Sequence, residues 1–461
     1  MRNEWISYLA PALALLGCGG LPIDTSWPTV APLSRHIAEG GSPMLHGGRG
    51  ALSEADEPRG KLTLEQALGL ALAHNPELAA AFWNVRAADA RTLQAGLRPN
   101  PELEFEIEEF GGTGGLSGTD AIAGSLVFSQ EIELGGKREK RSKVAGLERW
   151  LAALACEAKR LDIVTEATIA FIQVLAAQER RTIAREAVRL AERTVEVVAE
   201  RVDAGKVSPL EKLQTEVVLS RSRLALARAG NGLSAAHDAL AATWGSSSAK
   251  FEGVEGKLSL KESLPPIERL MERVAESPDV LRYRDEITAA NARLELERAK
   301  AKPNLSVGGG IQASAESGDS AFILGFSIPL SISDRNQGGI LEAERELERL
   351  REEHRAAEVR VRTALRKTHG ELATERQSAV SLREDVLPAA RRAHEAASEG
   401  YRQGKFGYLE VLSAQSALFE ARQEYVEALA SCLTAMAEVE RLTGAGVDRD
   451  GRTGGPSAKE D

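Results

Sequence analysis

The sequence predicts a mixed fold in which pairs of alternating strands feed long helical hairpins, with the whole unit written twice. Three observations carry this. Landmark residues recur about 200 positions apart. Short segments alternate apolar and polar residues. Heptad spacing runs through stretches that lack proline.

Composition narrows the function. Of 461 residues, 58 are Lys or Arg and 68 are Asp or Glu, a formal charge of -10 that argues against holding nucleic acid by phosphate neutralisation. Aromatic residues make up 4% and hydrophobic residues 43%, thin for packed globular cores. Three cysteines and seven histidines show no CxxC, HxxxH or HExxH spacing, so no metal site is expected. There is no nucleophile elbow, carboxylate-pair motif or cofactor fingerprint, so neither a catalytic residue nor a cofactor is expected. No stretch reaches the roughly 18 apolar residues of a membrane-spanning helix, which leaves a lipid or strands as the route into a bilayer.

In chain order, residues 6–16 form an apolar run of signal-peptide length, ending in Leu15-Leu16-Gly17-Cys18. That ending resembles a lipobox. It predicts a lipoprotein signal over 1–17 and a lipidated Cys18, with Gly19 behind it in place of an acid. Residues 18–60, rich in Gly, Pro and Ser, read as an irregular arm.

The first repeat spans 61–245 and the second 277–444. Asn75-Pro76-Glu77 and Ser277-Pro278-Asp279 each offer a capping side chain, a proline at the first helical position and an acid in the first turn. Pro99-Asn100 pairs with Pro303-Asn304, Phe128 with Phe326, Gly205-Lys206 with Gly404-Lys405, Leu210-Glu211 with Leu409-Glu410, and Gly245 with Gly444. Strand pairs are read at about 102–133 and 304–331. Leu103, Phe105 and Ile107 alternate with Glu104, Glu106 and Glu108, and Phe322, Leu324, Phe326, Ile328 and Leu330 make the most apolar face. The Gly111–Gly115 cluster and Gly135-Gly136-Lys137 lack the spacing of phosphate loops and read as turns.

Long helical hairpins are read at about 137–245 and 338–444. From Lys137 to about Ala204 the chain has no proline, which allows a helix roughly 100 Å long. Its seam runs through 147, 151, 154, 158, 161, 165, 168, 172 and 175. A second seam takes Ile340, Ala343, Leu347, Leu350, His354, Ala357, Val361 and Ala364, and a third takes Leu409, Leu412, Ser416, Phe419, Gln423 and Val426. Residues 246–276 read as an equatorial connector with a short amphipathic helix, and 445–461 as a flexible tail. Cys156 and Cys432, at different heights above the turns, are expected to stay unbridged.

These features resemble the TolC-like outer membrane efflux family over residues 61–444. The segments 95–103 (AGLRPNPEL), Phe110-Gly111-Gly112 and 129–138 (SQEIELGGKR) resemble its branch serving heavy-metal cation pumps of the resistance-nodulation-division type. The resemblance implies a membrane β-barrel continuous with a long α-helical coiled-coil barrel, four strands per chain, closed by trimerisation. It also implies an outer-membrane location and partners in a periplasmic adaptor and an inner-membrane pump. Physics gives part of this: four strands cannot close a transmembrane barrel, so copies must associate, two giving eight strands and three giving twelve. Two rival readings remain, a soluble coiled-coil scaffold or adaptor, and a duct for drugs or secreted proteins.

Site residues follow from the same resemblance. Gly205, Leu210, Gly404 and Leu409 mark the tips where the adaptor docks. Glu410 matches an acid that rings the closed entrance, Glu211 an acid that ties hairpins together, and Tyr401 its tyrosine partner. Phe406 and Leu210 stand where the family has a basic residue and a threonine, so a second tie is apolar or absent. In a barrel Glu104, Glu106 and Glu108 are expected to face the lumen, favouring cations.

Overall fold

The computed structural model describes residues 57–116, 121–260, 264 and 266–444, all within one compact unit, Pro43–Asp461. The signal segment, Cys18, nearly all of the arm and the 445–461 tail lie outside the described residues.

The first half runs β1 (Lys61–Leu62), α1 (Leu64–His74), α2 (Pro76–Ala95), β2 (Glu102–Glu108), β3 (Ala123–Ile132), α3 (Lys137–Asp203) and α4 (Pro209–Ala242). The second follows with β4 (Gly253–Val254), α5 (Ile267–Glu272), α6 (Pro278–Lys300), β5 (Leu305–Ser314), β6 (Ser320–Ser327), α7 (Gln337–Ser381), α8 (Leu387–Arg402) and α9 (Tyr408–Thr443). Strands β2-β3-β5-β6 form one antiparallel sheet in that order, with the two hairpins joined through β3 and β5. Helix α3 packs on α2 and α6 along one part of its length and on α4 and α9 along another, and α7 packs on α6 and α9.

Helix starts follow local chemistry. The Thr63 hydroxyl and the Gln66 side chain form a reciprocal cap on α1. Asn75 Oδ1 accepts from the Glu77 and Leu78 amides at 2.8 and 3.0 Å, with Pro76 opening α2. Ser277 corrects the expected symmetry: its side chain makes no cap bond, and its buried hydroxyl has no partner among the described residues.

The long helices differ. α3 runs unbroken for 67 residues. In the second half α7 gives way to a π-helical turn, Leu382–Val386, before α8. Pro388 supplies the cause, since its ring clashes with the carbonyl four residues back and it has no N–H to continue the ladder.

The seams divide likewise. Leu347, Leu350, Ala357 and Val361 are buried as expected on α7, and His354 is half-buried, 6.3 Å from the Tyr283 ring. On α9 the expected seam holds at Val426, which is buried, and in part at Leu412 and Phe419, which are half-buried, but is one step off elsewhere. Leu409, Ser416 and Gln423 are exposed, and the buried stripe is Tyr408, Val411, Gln415, Leu418 and Ala421. On α3 most expected positions are half-buried, and the stripe taken into the core is Ile163, Ala167, Phe171 and Val174. A helix with neighbours on more than one side has several apolar stripes, and its partners decide which is deepest. One stretch of α3 is long and apolar enough to span a bilayer by composition, but nearly half of it is buried among other helices.

The connector binds both halves. Phe251 and Val254 join a cluster with Leu62, Phe171, Val174, Leu240 and Trp244, and Leu270 and Val274 join Val361, Leu365, Cys432 and Met436. Gln178 on α3 holds β4 through both side-chain atoms, accepting from the Val254 amide at 2.9 Å and donating to its carbonyl at 3.1 Å. Cys156 is half-buried, Cys432 is buried, and both are free thiols.

Candidate functional site

The sheet sorts most of its large apolar side chains onto one face, with Val127 and Ile323 the exceptions on the other. Register pairs Leu103 with Phe128, Phe105 with Leu126, Leu126 with Ile311 and Ile311 with Phe322, so every one of these lies on one face. Gly309, Leu324, Val307 and Phe326 continue it. This face is open to the surroundings: Phe322, Leu324 and Phe326 are 93%, 87% and 82% exposed. Leaving such a side chain in water forgoes about 1.5–3 kcal/mol each. The opposite face carries Glu102, Glu104, Glu106 and Glu108 opposite Ser129, Val127, Ser125 and Ala123, then Gly308, Gly310 and Gln312. Edges β2 and β6 have no neighbouring strand among the described residues.

The strand-to-helix junction explains the motif over 129–138. Gly135 and Gly136 both take left-handed backbone, φ 76° and 70°, and a Cβ on Gly135 would stand 2.8 Å from Lys302. Arg141 reaches back from α3, donating to the carbonyls of Ala95 at 2.9 Å and Leu97 at 3.0 Å and pairing with both oxygens of Glu133. Its guanidinium holds the Glu133 carboxyl below the usual carboxylate range. Asn304 Oδ1 accepts from Lys137, and its amide donates to Glu131. These residue types therefore fix the angle between sheet and helices.

At the far end lie the two turns. Gly205 and Gly404 take φ 67° and 72° where α3 meets α4 and α8 meets α9. Leu210 and Leu409 stand 59% and 62% exposed beside them. The Tyr401 hydroxyl donates to Glu211 Oε2 at 3.2 Å, joining the second turn region to the first. Two participants escaped the sequence reading. Arg201, in the last turn of α3, lies over the Tyr401 ring at 4.2 Å and donates to the Tyr401 carbonyl at 3.0 Å. Tyr408 meets the same ring edge-on at 6.2 Å. Burial pushes the Tyr401 phenol up, and burial together with Tyr401 takes Tyr408 to about 12. The tyrosine hydroxyl thus stays a donor across the physiological range. Val198, Ala397 and Val411 complete the cluster. Glu410 is not part of it: the residue is exposed, and no hydrogen bond or ion pair engages it among the described residues. Phe406, half-exposed, lies against Gly400.

Another missed group is Arg441, near the end of α9. Its Nε donates to Asp162 of α3 at 2.7 Å, and its two other nitrogens bind Asp279 of α6. An arginine in a last turn and an aspartate in a first turn each satisfy a local helix dipole, so neither signals the pairing.

Known proteins share this arrangement. The chain matches the family described as Outer membrane efflux protein over residues 67–246 and 271–445. It is 34% identical to the cobalt-zinc-cadmium resistance protein CzcC of Cupriavidus metallidurans, over 84% of this chain and 91% of that one. It is 23% identical to a probable outer membrane lipoprotein, SilC of Salmonella typhimurium, over 78% of this chain and 81% of that one. Among solved structures, one of CusC superposes with a TM-score of 0.70 at 20% identity, covering 83% of this chain and 92% of that one. A sheet with one greasy face, set at one end of long helices whose turns meet at the other, is the arrangement of that fold, and the chain belongs to the outer membrane efflux protein family.

Proposed function

We propose that this outer-membrane efflux protein is the passive duct of a tripartite machine that expels heavy-metal cations. The observation that carries the duct is the sheet: an apolar face turned outward, an acidic and small-residue face opposite, and two open edges. In lipid an unpaired strand edge is costly, so closure with other copies is required, and three copies give a barrel of twelve strands. The apolar face then meets lipid, and Glu104, Glu106 and Glu108 line the lumen, favouring cations over anions. CzcC supports the cargo through the metals in its name. The strand and helix order common to both halves supports an internal duplication.

Helix edges fit the same closure. α4 presents Leu210, Leu213, Val217 and Leu224, each more than half exposed, and α8 presents exposed Ala389, Ala393 and Ala396. Leu213 and Val217 lie eight and twelve residues from Gly205, and Ala396 and Ala393 lie eight and eleven from Gly404, so ridge and small-residue stripe stand at similar heights. The α4 ridge of one copy packs into the α8 stripe of the next.

The tips at Gly205, Leu210, Gly404 and Leu409 dock a periplasmic adaptor, which couples the duct to an inner-membrane pump of the resistance-nodulation-division type. The pump supplies the energy, and the duct performs no catalysis. Tyr401 with Glu211 ties the entrance closed, and Glu410 from each copy rings it, where mutual repulsion of about 1 kcal/mol per pair at 4 Å in water favours opening unless a cation bridges the ring. Cys18 carries the lipid anchor.

The test pairs location with cargo. The protein should fractionate with the outer membrane as a trimer. With its adaptor and pump it should restore cobalt, zinc and cadmium tolerance to cells lacking their own channel. Recovery in the soluble periplasmic fraction would favour the scaffold reading, and tolerance to organic drugs alone would change the cargo.

A further inference from the structure

We propose that Arg201 is the positioning residue of the tip tie, and that its side chain makes the tie a feature of one hairpin junction and not of its counterpart. The proposal rests on the gate reading above and extends it to a residue that the family resemblance did not supply.

Arg201 does two things to Tyr401 at once. Its guanidinium covers one face of the phenol ring at 4.2 Å, and its Nη1 holds the Tyr401 carbonyl at 3.0 Å. Tyr408 closes the ring's edge at 6.2 Å. With face, edge and backbone fixed, the hydroxyl has one direction left, toward Glu211 Oε2 at 3.2 Å. Tyr401 is 7% exposed, so its ring has little room for another rotamer. A planar, permanently charged fork is the side chain suited to stacking on a ring while donating to a carbonyl.

The two turns show why this happens once. Aligned on Gly205 and Gly404, Arg201 falls on Gly400, Val202 on Tyr401 and Glu211 on Glu410. No arginine fits at 400, because a Cβ there would clash with the Phe406 ring. Val202 has no hydroxyl to offer an acid. Glu410 is thus left without the tyrosine-and-arginine arrangement that engages Glu211. Each chain contributes one polar tie, and a trimer has three in place of six.

The experiment is a double-mutant cycle on the full-length channel reconstituted in planar bilayers. Arg201→Met removes the charge and the fork while keeping the stem. It should raise occupancy of the high-conductance level about fivefold, the ratio that corresponds to losing one ordinary hydrogen bond. Tyr401→Phe should act similarly, and the double variant should show no more than the larger single effect, because Arg201 works through the Tyr401 hydroxyl. Arg201→Lys keeps the charge and a donor, so it should restore part of the closure; a merely structural role would not separate Lys from Met in this way. Arg193→Met, on the exposed surface of α3, should match wild type. Should Arg201→Met fail to reach the membrane, the Arg201→Lys and Tyr401→Phe cycle carries the same test. Additive effects, or a silent Arg201 beside an open Tyr401→Phe channel, would overturn this proposal while the gate reading stands. If Tyr401→Phe and Glu211→Gln conduct like wild type, the gate reading falls, and this proposal with it.

Discussion

The two halves of the chain use the same order of elements, yet they are fastened differently. In the first half Asn75 caps α2, and its amide also donates to the Thr243 carbonyl at 2.9 Å, so one side chain closes the end of α4 onto the start of α2. In the second half Ser277 does neither, and Arg441 does the closing through Asp279 and Asp162. Beneath this difference lies a shared contact. Gly245 and Gly444 both take left-handed backbone, and a Cβ on either would press on a proline, Pro76 at 3.1 Å and Pro278 at 2.9 Å. Two halves can therefore keep a backbone solution while replacing the side chains that secure it. An ion pair anchored on α3 binds the second half to the first, whereas Asn75 binds the first half only to itself.

The largest effect should come from breaking that anchor. Arg441→Ala leaves Asp279 and Asp162 without their partner, and a hydrogen bond to a charged group contributes about 1.5–3 kcal/mol. The midpoint of urea unfolding in detergent should fall accordingly, and an unchanged midpoint would remove Arg441 from the account. Next come the glycines. Gly245→Ala and Gly444→Ala should each lose about 1–2 kcal/mol from left-handed backbone alone, with Gly444 the more sensitive because its proline is nearer. Asn75→Ala should cost about 1 kcal/mol as a lost cap, against almost nothing, or a small gain, for Ser277→Ala, whose buried hydroxyl already lacks a partner. Equal losses at the two sites would erase the contrast drawn between the caps.

The smallest effect concerns the rods themselves. Amide hydrogen exchange should be faster over Arg383–Val386, exposed and π-helical, than over the matching depth of α3, where the i to i−4 ladder is unbroken. A pH series adds a further check on the tip. Burial raises the Tyr401 phenol above its ordinary value of 10, so on the alkaline side the hydroxyl remains a donor until pH climbs through the raised value, and closure should weaken only there.

Much of this was legible in the residues. Leu347, Leu350 and Val361 are large apolar side chains at heptad spacing on a helix otherwise studded with Arg and Glu, so a single stripe was available to bury. The strand faces were equally plain, because alternation along a strand is fixed by the pleat. α9 was harder. It carries apolar residues on several sides, and Tyr408 and Gln415 are buried while the more apolar Leu409 faces out, a choice made by α3 and α8. The tyrosine and glutamate at the tips came from resemblance, and Arg201 came from neither source, since an arginine in a last helical turn is ordinary by itself.

The sequence by itself determined what is local: the cap at Asn75, turns at glycines with positive φ, the unbroken length of α3, strand alternation and the recurrence of landmarks near 200 residues. These depend on a few adjacent side chains and on backbone sterics. Only the tertiary structure decided which strands join, which stripe of each helix goes inward, and which distant charges meet. The β3–β5 pairing spans about 180 residues, the Arg201–Tyr401 contact 200 and the Arg441–Asp162 pair 279. Such contacts form when whole elements pack, and no short window of the chain contains both partners.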